Sequence, residues 1–345
     1  MSLRIDISHR LAHFKRPAGT SRGIYFTRDT WIVTVNDKET GQSGVGECAP
    51  LPDLSCDAIP DYEQRLRDIC RLVEIYNGID SQLLQPYPSM LFGLETAFLN
   101  LRNGRNVIFD TPFTRGEVGI PINGLVWMGT AEEMKRRVEE KLNAGYRCVK
   151  LKIGAIDFEE EMAIIKGIRD RFPADVIQLR LDANGGFSVE DAMRKLERLA
   201  KYDIHSIEQP IRQRRWKHMA EICRNSPIPI ALDEELIGVN ITDWKRLLLD
   251  EIHPAYIILK PSLHGGMSGC EEWVAMARER GIKSWVTSAL ELNVGLNAIA
   301  QFTAHVYGSS ITMPQGLGTG LLFTDNIPMP LTICGDKLYC SHLSH

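Results

Sequence analysis

Five apolar stretches in the middle of this chain each end on an ionisable residue, in the order Lys150-Leu-Lys152, Asp182, Glu208, Asp233 and Lys260. From Lys152 the steps are 30, 26, 25 and 27 residues. A near-constant step of that length is one strand, one helix and their turns, repeated. Parallel strands built this way gather their carboxyl ends in one place, so residues far apart in sequence converge on one pocket. The repeat predicts strands at Cys148–Ile153, Val176–Asp182, Ile204–Glu208, Ile228–Asp233, Ala255–Lys260 and Ile282–Ser288, each preceded by a helical segment such as Ala131–Asn143. An open doubly wound sheet would alternate in the same way but concentrate its chemistry at one switch point. Here successive strands each deliver a polar residue, which favours a barrel.

The region before about residue 118 reads differently. Residues 3 to 50 alternate polar and apolar in short runs with turn signals at Asn36-Asp37 and Gly41 to Gly44, which predicts an antiparallel sheet. Residues 58 to 104 carry Leu66, Ile69, Val73, Met90, Leu94, Phe98 and Leu101 at helical spacing. Between them, Gly44 to Ser55 is rich in Gly and Pro and predicts a loop. The expected organisation is an α+β unit over 1–117, a β/α barrel over 118–320, and a C-terminal segment over 321–345 that returns to the first unit. A chain of 345 residues suits that arrangement.

Net charge is −4 with 24% charged residues, which gives no electrostatic reason to expect nucleic acid or a membrane surface as partner. No apolar run is long enough to span a bilayer. Eight cysteines lack any C-x-x-C pair, and together with the absence of a signal-like leader they point to a reducing cytoplasm.

Lys150 and Lys152 stand two apart on a strand and so face one side, where only anionic partners would make two ammonium groups tolerable. Asp182, Glu208 and Asp233 supply oxygen donors at neighbouring strand ends, suited to a hard cation such as Mg²⁺, with Mn²⁺ as a substitute. Zinc is disfavoured because no His or Cys stands at these positions. Glu234 and Glu235 compete with Asp233 for the third position. Burial beside a divalent cation is expected to lower the pKa of Lys152 and Lys260 toward neutrality and make a base. His205, His253, His264 and His305 are weaker candidates, and Gly316-x-Gly318-x-Gly320 lacks the lysine and helix of a phosphate loop.

Taken together, Lys150-Leu-Lys152, Asp182-Ala-Asn184, Glu208-Gln-Pro210, Asp233-Glu234 and Lys260-Pro261 followed by Gly265-Gly266 resemble the muconate-lactonising subgroup of the enolase superfamily. The resemblance implies a modified TIM-type (β/α)7β barrel with an α+β capping domain that the C-terminal segment completes. It also implies Mg²⁺ on Asp182, Glu208 and Asp233, removal of a proton α to a carboxylate by Lys152, charge from Lys260 on the opposite face, and Lys150 orienting the carboxylate.

Within the subgroup, Gly46 to Pro52, Thr287 to Asn297 and Gly316 to Asn326 are most similar to enzymes that dehydrate 2-succinyl-6-hydroxy-2,4-cyclohexadiene-1-carboxylate to 2-succinylbenzoate for menaquinone synthesis. Ser288, Ser262, Gly316 and Arg22 are the candidates for holding that small carboxylate substrate. The rival readings are an N-acylamino acid racemase or a dipeptide epimerase, and, from another class, a non-catalytic binding protein on a barrel scaffold. Epimerases of this kind resemble one another in an Asp-x-Asp near the eighth strand that holds an ammonium, whereas Ile311 to Gly320 contains no acid. Thr20 to Tyr25 and Gly46 to Ser55 are candidate lids over the mouth.

Overall fold

The structure, a computed structural model, describes residues 2–20, 23–127, 129–154 and 156–341. Strands β1 (Leu3–Thr20), β2 (Gly23–Asp37) and β3 (Ser43–Cys48) pair antiparallel in that order. Helices α1 (Tyr62–Tyr76), α2 (Ser81–Leu84) and α3 (Pro88–Asn103) follow. The spacing of Leu66, Ile69, Cys70 and Val73 gives α1 one apolar stripe, which shares a core with Val33, Val35 and Cys48 of the sheet and Met90, Leu94 and Ala97 of α3.

The expected loop from Gly44 is strand as far as Cys48, and irregular chain begins only at Ala49. Its glycines serve close packing. A Cβ on Gly46 would lie 1.9 Å from the Gly93 carbonyl oxygen, and one on Gly44 2.0 Å from that of Ala97, so α3 rests backbone against backbone on β3.

The strand-helix alternation then runs as β4 (Ile120–Pro121), β5 (Gly124–Val126), α4 (Ala131–Asn143), β6 (Cys148–Lys152), α5 (Phe158–Arg171), β7 (Gln178–Asp182) and α6 (Val189–Leu199). It continues through β8 (Ser206–Glu208), α7 (Trp216–Asn225), β9 (Ile230–Leu232), α8 (Thr242–Ile252), β10 (Tyr256–Leu259), α9 (Gly266–Glu279), β11 (Lys283–Val286) and α10 (Asn293–Tyr307). Local chemistry starts several of these helices: Thr130 and Glu133 close a capping box on α4, Asp157 caps α5 and Ser188 caps α6.

β5 to β11 form one seven-stranded sheet in sequence order, and every pairing in it is parallel. Both of its edges meet the same two residues. Gln315 bridges to Ile122 beside β5, and Gly316 bridges to Thr287 at the end of β11. A Cβ on Gly316 would stand 2.0 Å from the Thr287 hydroxyl oxygen, so glycine alone lets the chain approach this closely.

Alternation along the strands sorts the side chains. Val149, Leu151, Leu179, Leu181, Ile207, Leu232, Ile257 and Leu259 belong to the large core shared with the helices. Ala231, Ile258 and Trp285 make a separate small cluster on the other face, with the Arg180 guanidinium 4.3 Å from the Trp285 ring centroid. Two residues further along the same face stand the acids and lysines.

Residues 322–325 run beside β1 through Lys15, His13 and the Phe14–Phe323 bridge. The last hairpin, β12 (Leu331–Cys334) and β13 (Lys337–Cys340), extends β4 instead. All eight cysteines are free thiols. Among the described residues no helix is long and apolar enough to cross a membrane.

Candidate active site

Strand register assembles the site. Lys152, Asp182 and Glu208 stand abreast on β6, β7 and β8, and Asp233 and Lys260 each follow the last residue of β9 and β10 directly. The acid side chains are at most 3% exposed, while Lys150, Lys152 and Lys260 are 11–12% exposed and reach the same space.

The Lys150 ammonium contacts Asp182 Oδ2 at 2.9 Å and donates to Glu208 Oε2 at 2.5 Å. Lys152 donates to Asp182 Oδ2 at 3.0 Å and to Asn184 Oδ1 at 2.8 Å. Lys260 donates to Asp233 Oδ2. Asn184, held in the left-handed region at φ 44°, also donates its amide to Glu234 Oε1 at 2.8 Å, which fixes which end of the amide faces Lys152.

The charges act on one another strongly. Burial pushes the Asp182 carboxyl up, but Lys150 and Lys152 outweigh it and hold it well below the usual carboxylate range. Glu208 lies well above its ordinary value through burial and the neighbouring Asp182 charge. Burial pushes the Lys260 ammonium down, yet Asp233, Glu208 and Glu234 outweigh burial and raise it, so the expected lowering toward neutrality depends on the charge of a bound cation.

Three buried acid oxygens in this cluster have no hydrogen-bond partner: Glu208 Oε1, Asp233 Oδ1 and Glu234 Oε2. Unpaired carboxylate oxygens are costly to bury, and an all-oxygen set at adjoining strand ends fits a hard divalent cation. Among the described residues no group of three acids, His or Cys is already gathered in metal-holding geometry. In their place the lysines stand between the acids, so a cation would take over contacts that ammonium groups now make. Glu234 offers its free oxygen as Asp233 does, and it also lines the cavity.

A cavity opens above this cluster. Ser288 and Gly316, two of the expected substrate residues, line it. Ser262 does not: it is wholly buried and donates to Glu291 Oε1 at 2.5 Å. Arg22 lies outside the described residues. Thr319 carries no role in the sequence reading, and Asn184 enters it only as a member of the Asp182-Ala-Asn184 motif. The Thr319 hydroxyl pairs with that of Ser288 at 2.6 Å on the cavity wall. Its one signal is a lone hydroxyl in a glycine run. Tyr25, Leu51 and Leu54 bring the two candidate lids to the cavity, Tyr25 donating to the Pro52 carbonyl at 3.0 Å. None of the candidate histidines, His205, His253, His264 and His305, lines it; buried His264 accepts the Lys260 backbone N–H at 2.9 Å.

Comparison with known proteins identifies the family and the fold. The family model described as Enolase C-terminal domain-like matches residues 133–328, and that described as MenC, N-terminal domain matches residues 22–101. The chain is 44% identical to an o-succinylbenzoate synthase of Desulfotalea psychrophila over 97% of this chain and 98% of that one. It is 25% identical to an L-Ala-D/L-Glu epimerase of Bacillus subtilis over 88% of this chain and 84% of that one. The crystal structure of MenC from Desulfotalea psychrophila superposes with a TM-score of 0.84 at 40% identity, covering 98% of this chain and all of that one. A dipeptide epimerase from Enterococcus faecalis, complexed with Mg and L-Leu-L-Tyr, shares the fold at a TM-score of 0.84 and 17% identity, covering 99% and 97% of the two chains.

Proposed function

This chain belongs to the o-succinylbenzoate synthase family of the enolase superfamily, and from that membership we propose how its cavity carries out the family's reaction. The activity is that of an o-succinylbenzoate synthase, a lyase. The reaction we assign is loss of water from 2-succinyl-6-hydroxy-2,4-cyclohexadiene-1-carboxylate to give 2-succinylbenzoate. We read the sheet, closed through Gln315-Gly316, as a (β/α)7β barrel of eight staves under an α+β cap. On that reading β6 and β10 are four staves apart, and Lys152 and Lys260 face each other across the substrate.

The observation that carries the mechanism is the pair of acceptors on Lys152. Asp182 Oδ2 and Asn184 Oδ1 hold two directions of its nitrogen, and the third points to the cavity. As the free amine, Lys152 takes the proton α to the carboxylate, and the C–H electron pair moves into the ring and carboxylate π system. The same nitrogen, now an ammonium, returns that proton to the departing hydroxyl on the same face. Water leaves and the ring becomes aromatic. Lys260 places positive charge on the opposite face, and Lys150 orients the carboxylate end. Asp182, Glu208 and Asp233 would hold Mg²⁺, whose charge, when bound, stabilises the negative charge that builds on the substrate carboxylate. We place the enzyme in the cytoplasm, a reading that its eight free, unpaired thiols support.

The paired Ser288 and Thr319 hydroxyls offer a donor on the cavity wall to a second carboxylate or a ketone, and Ile311 to Gly320 contributes no anion to attract an amine. Purified protein offered the cyclohexadiene carboxylate, N-succinylamino acids and dipeptides in separate assays should show its highest kcat/KM on the first. A higher value for dipeptide epimerisation would overturn the substrate assignment and leave the family standing.

A further inference from the structure

One wall of the cavity is held in an unfavourable shape. Leu290, 6% exposed and on the cavity wall, has φ 64°, a left-handed conformation that costs a branched side chain energy unless its surroundings impose it. The imposition comes from both sides. Before it, the Ala289 N–H donates to Glu291 Oε2 at 2.6 Å, while the Ala289 carbonyl accepts from Arg28 Nη2 at 3.2 Å. After it, the Leu292 N–H donates to Glu47 Oε1 at 2.7 Å. Arg28 and Glu47 belong to β2 and β3 of the cap, so the cap sets the backbone of a barrel loop.

Arg28 reaches further. It is 2% exposed, and its fork donates to the Pro50 carbonyl through Nη1 and the Ala49 carbonyl through Nη2, both at 2.7 Å. Those carbonyls begin the cap loop that brings Leu51 and Leu54 to the cavity. Glu291 and Glu47 supply its countercharge. One rigid guanidinium thus ties the cap wall to the barrel wall, a task its planar, multi-donor geometry suits and an ammonium does not.

We propose that Arg28 is a positioning residue for substrate recognition: by joining the Ala49-Pro50 carbonyls of the cap to the Ala289 carbonyl of the barrel, it holds Leu51, Leu54 and the strained Leu290 as a preformed apolar enclosure for the substrate. It touches none of the reacting atoms, so its loss acts on binding and leaves the proton transfer at Lys152 in place. The inference rests on the dehydration reading above.

The test is steady-state kinetics of the wild type, Arg28→Ala, Arg28→Lys and Leu290→Gly on the cyclohexadiene carboxylate, with thermal midpoints recorded alongside. Arg28→Ala should raise KM about ten-fold or more with kcat within about three-fold, and millimolar guanidinium should bring KM back toward wild type. If Arg28→Ala does not fold, Arg28→Lys decides on the same criterion, since its ammonium keeps the buried charge but cannot fork across both loops. Leu290→Gly suits φ 64° and so keeps the fold, and it should raise KM by removing the wall side chain. Unchanged KM in the folded Arg28 variant, or a fall in kcat alone, overturns the proposal, as does wild-type KM in Leu290→Gly. No turnover by the wild type would overturn the dehydration reading itself, a result distinguishable from either.

Discussion

At the scale of single residues, the lysines are told apart by what holds them. Lys152 is fixed by one anionic and one neutral acceptor, Lys260 by Asp233. Lys152→Ala should therefore abolish turnover and also stop exchange of the α-proton of the product's saturated analogue with deuterated water. Lys260→Ala should lower kcat strongly while exchange persists, and the deuterium content of the two variants under identical conditions decides. Exchange surviving only in Lys152→Ala would reverse the assignment. Asn184→Ala, which frees one direction of the Lys152 nitrogen, should lower kcat by about 10- to 100-fold with little change in KM.

The acids have a readout besides activity. Mg²⁺ at a hundred times its Kd should stabilise the fold by roughly 2.7 kcal/mol, and Asp182→Asn or Glu208→Gln should abolish that shift in thermal midpoint. Comparing Asp233→Asn with Glu234→Gln identifies which of the two unpartnered oxygens binds. The ionisable residues were legible in the sequence because charge at the end of an apolar strand needs a reason. Asn184 and Thr319 were not, since a neutral amide or hydroxyl beside glycine is equally at home in any turn.

At the scale of elements, the strands of the parallel sheet were legible because most are apolar runs closed by a charge at nearly constant spacing. β3 was not. Gly44 and Gly46 read as turn residues, and only the arrival of α3 shows that they are strand positions emptied of side chains. Gly46→Ala should accordingly destabilise the protein by about 3 kcal/mol or more, since its Cβ meets backbone that cannot rotate away. Urea unfolding measures it. A loss under about 1 kcal/mol would mean that α3 can slide on the sheet, contrary to the contact described. Gly41, with open space around it, is the matched control and should tolerate a side chain with only its φ 70° to oppose it.

At the scale of the whole molecule, the change of periodicity near residue 118 marks where the antiparallel sheet and its helices give way to strand-helix alternation, but the packing of the two regions on each other was not legible, because its contacts join residues about 245 apart. Glu47 accepts from Leu292 and Gly295 at the start of α10 and is wholly buried, which raises its carboxyl to about 7 against an ordinary 4.5. A raised acid favours the folded state below its ordinary value, and that contribution is lost as pH climbs through the folded one. Relative to Glu47→Gln, the wild type should lose up to roughly 3 kcal/mol of stability between pH 4.5 and pH 7, measured by urea unfolding at each pH. A pH-independent difference would mean that Glu47 is ionised throughout. The bridging of the two sheet edges by Gln315-Gly316 bears on time as well as shape. The bridge from Gln315 to Ile122 spans roughly 190 residues, so its loop-closure entropy is met late, after the local strand-helix units have formed. That event brings Asn123, Leu125 and Trp127, on one edge, to the cavity wall that carries Ser288 and Gly316. In refolding, helical signal should return first and ligand binding only with the slowest phase, the chain becoming an enzyme at the moment its two distant edges meet.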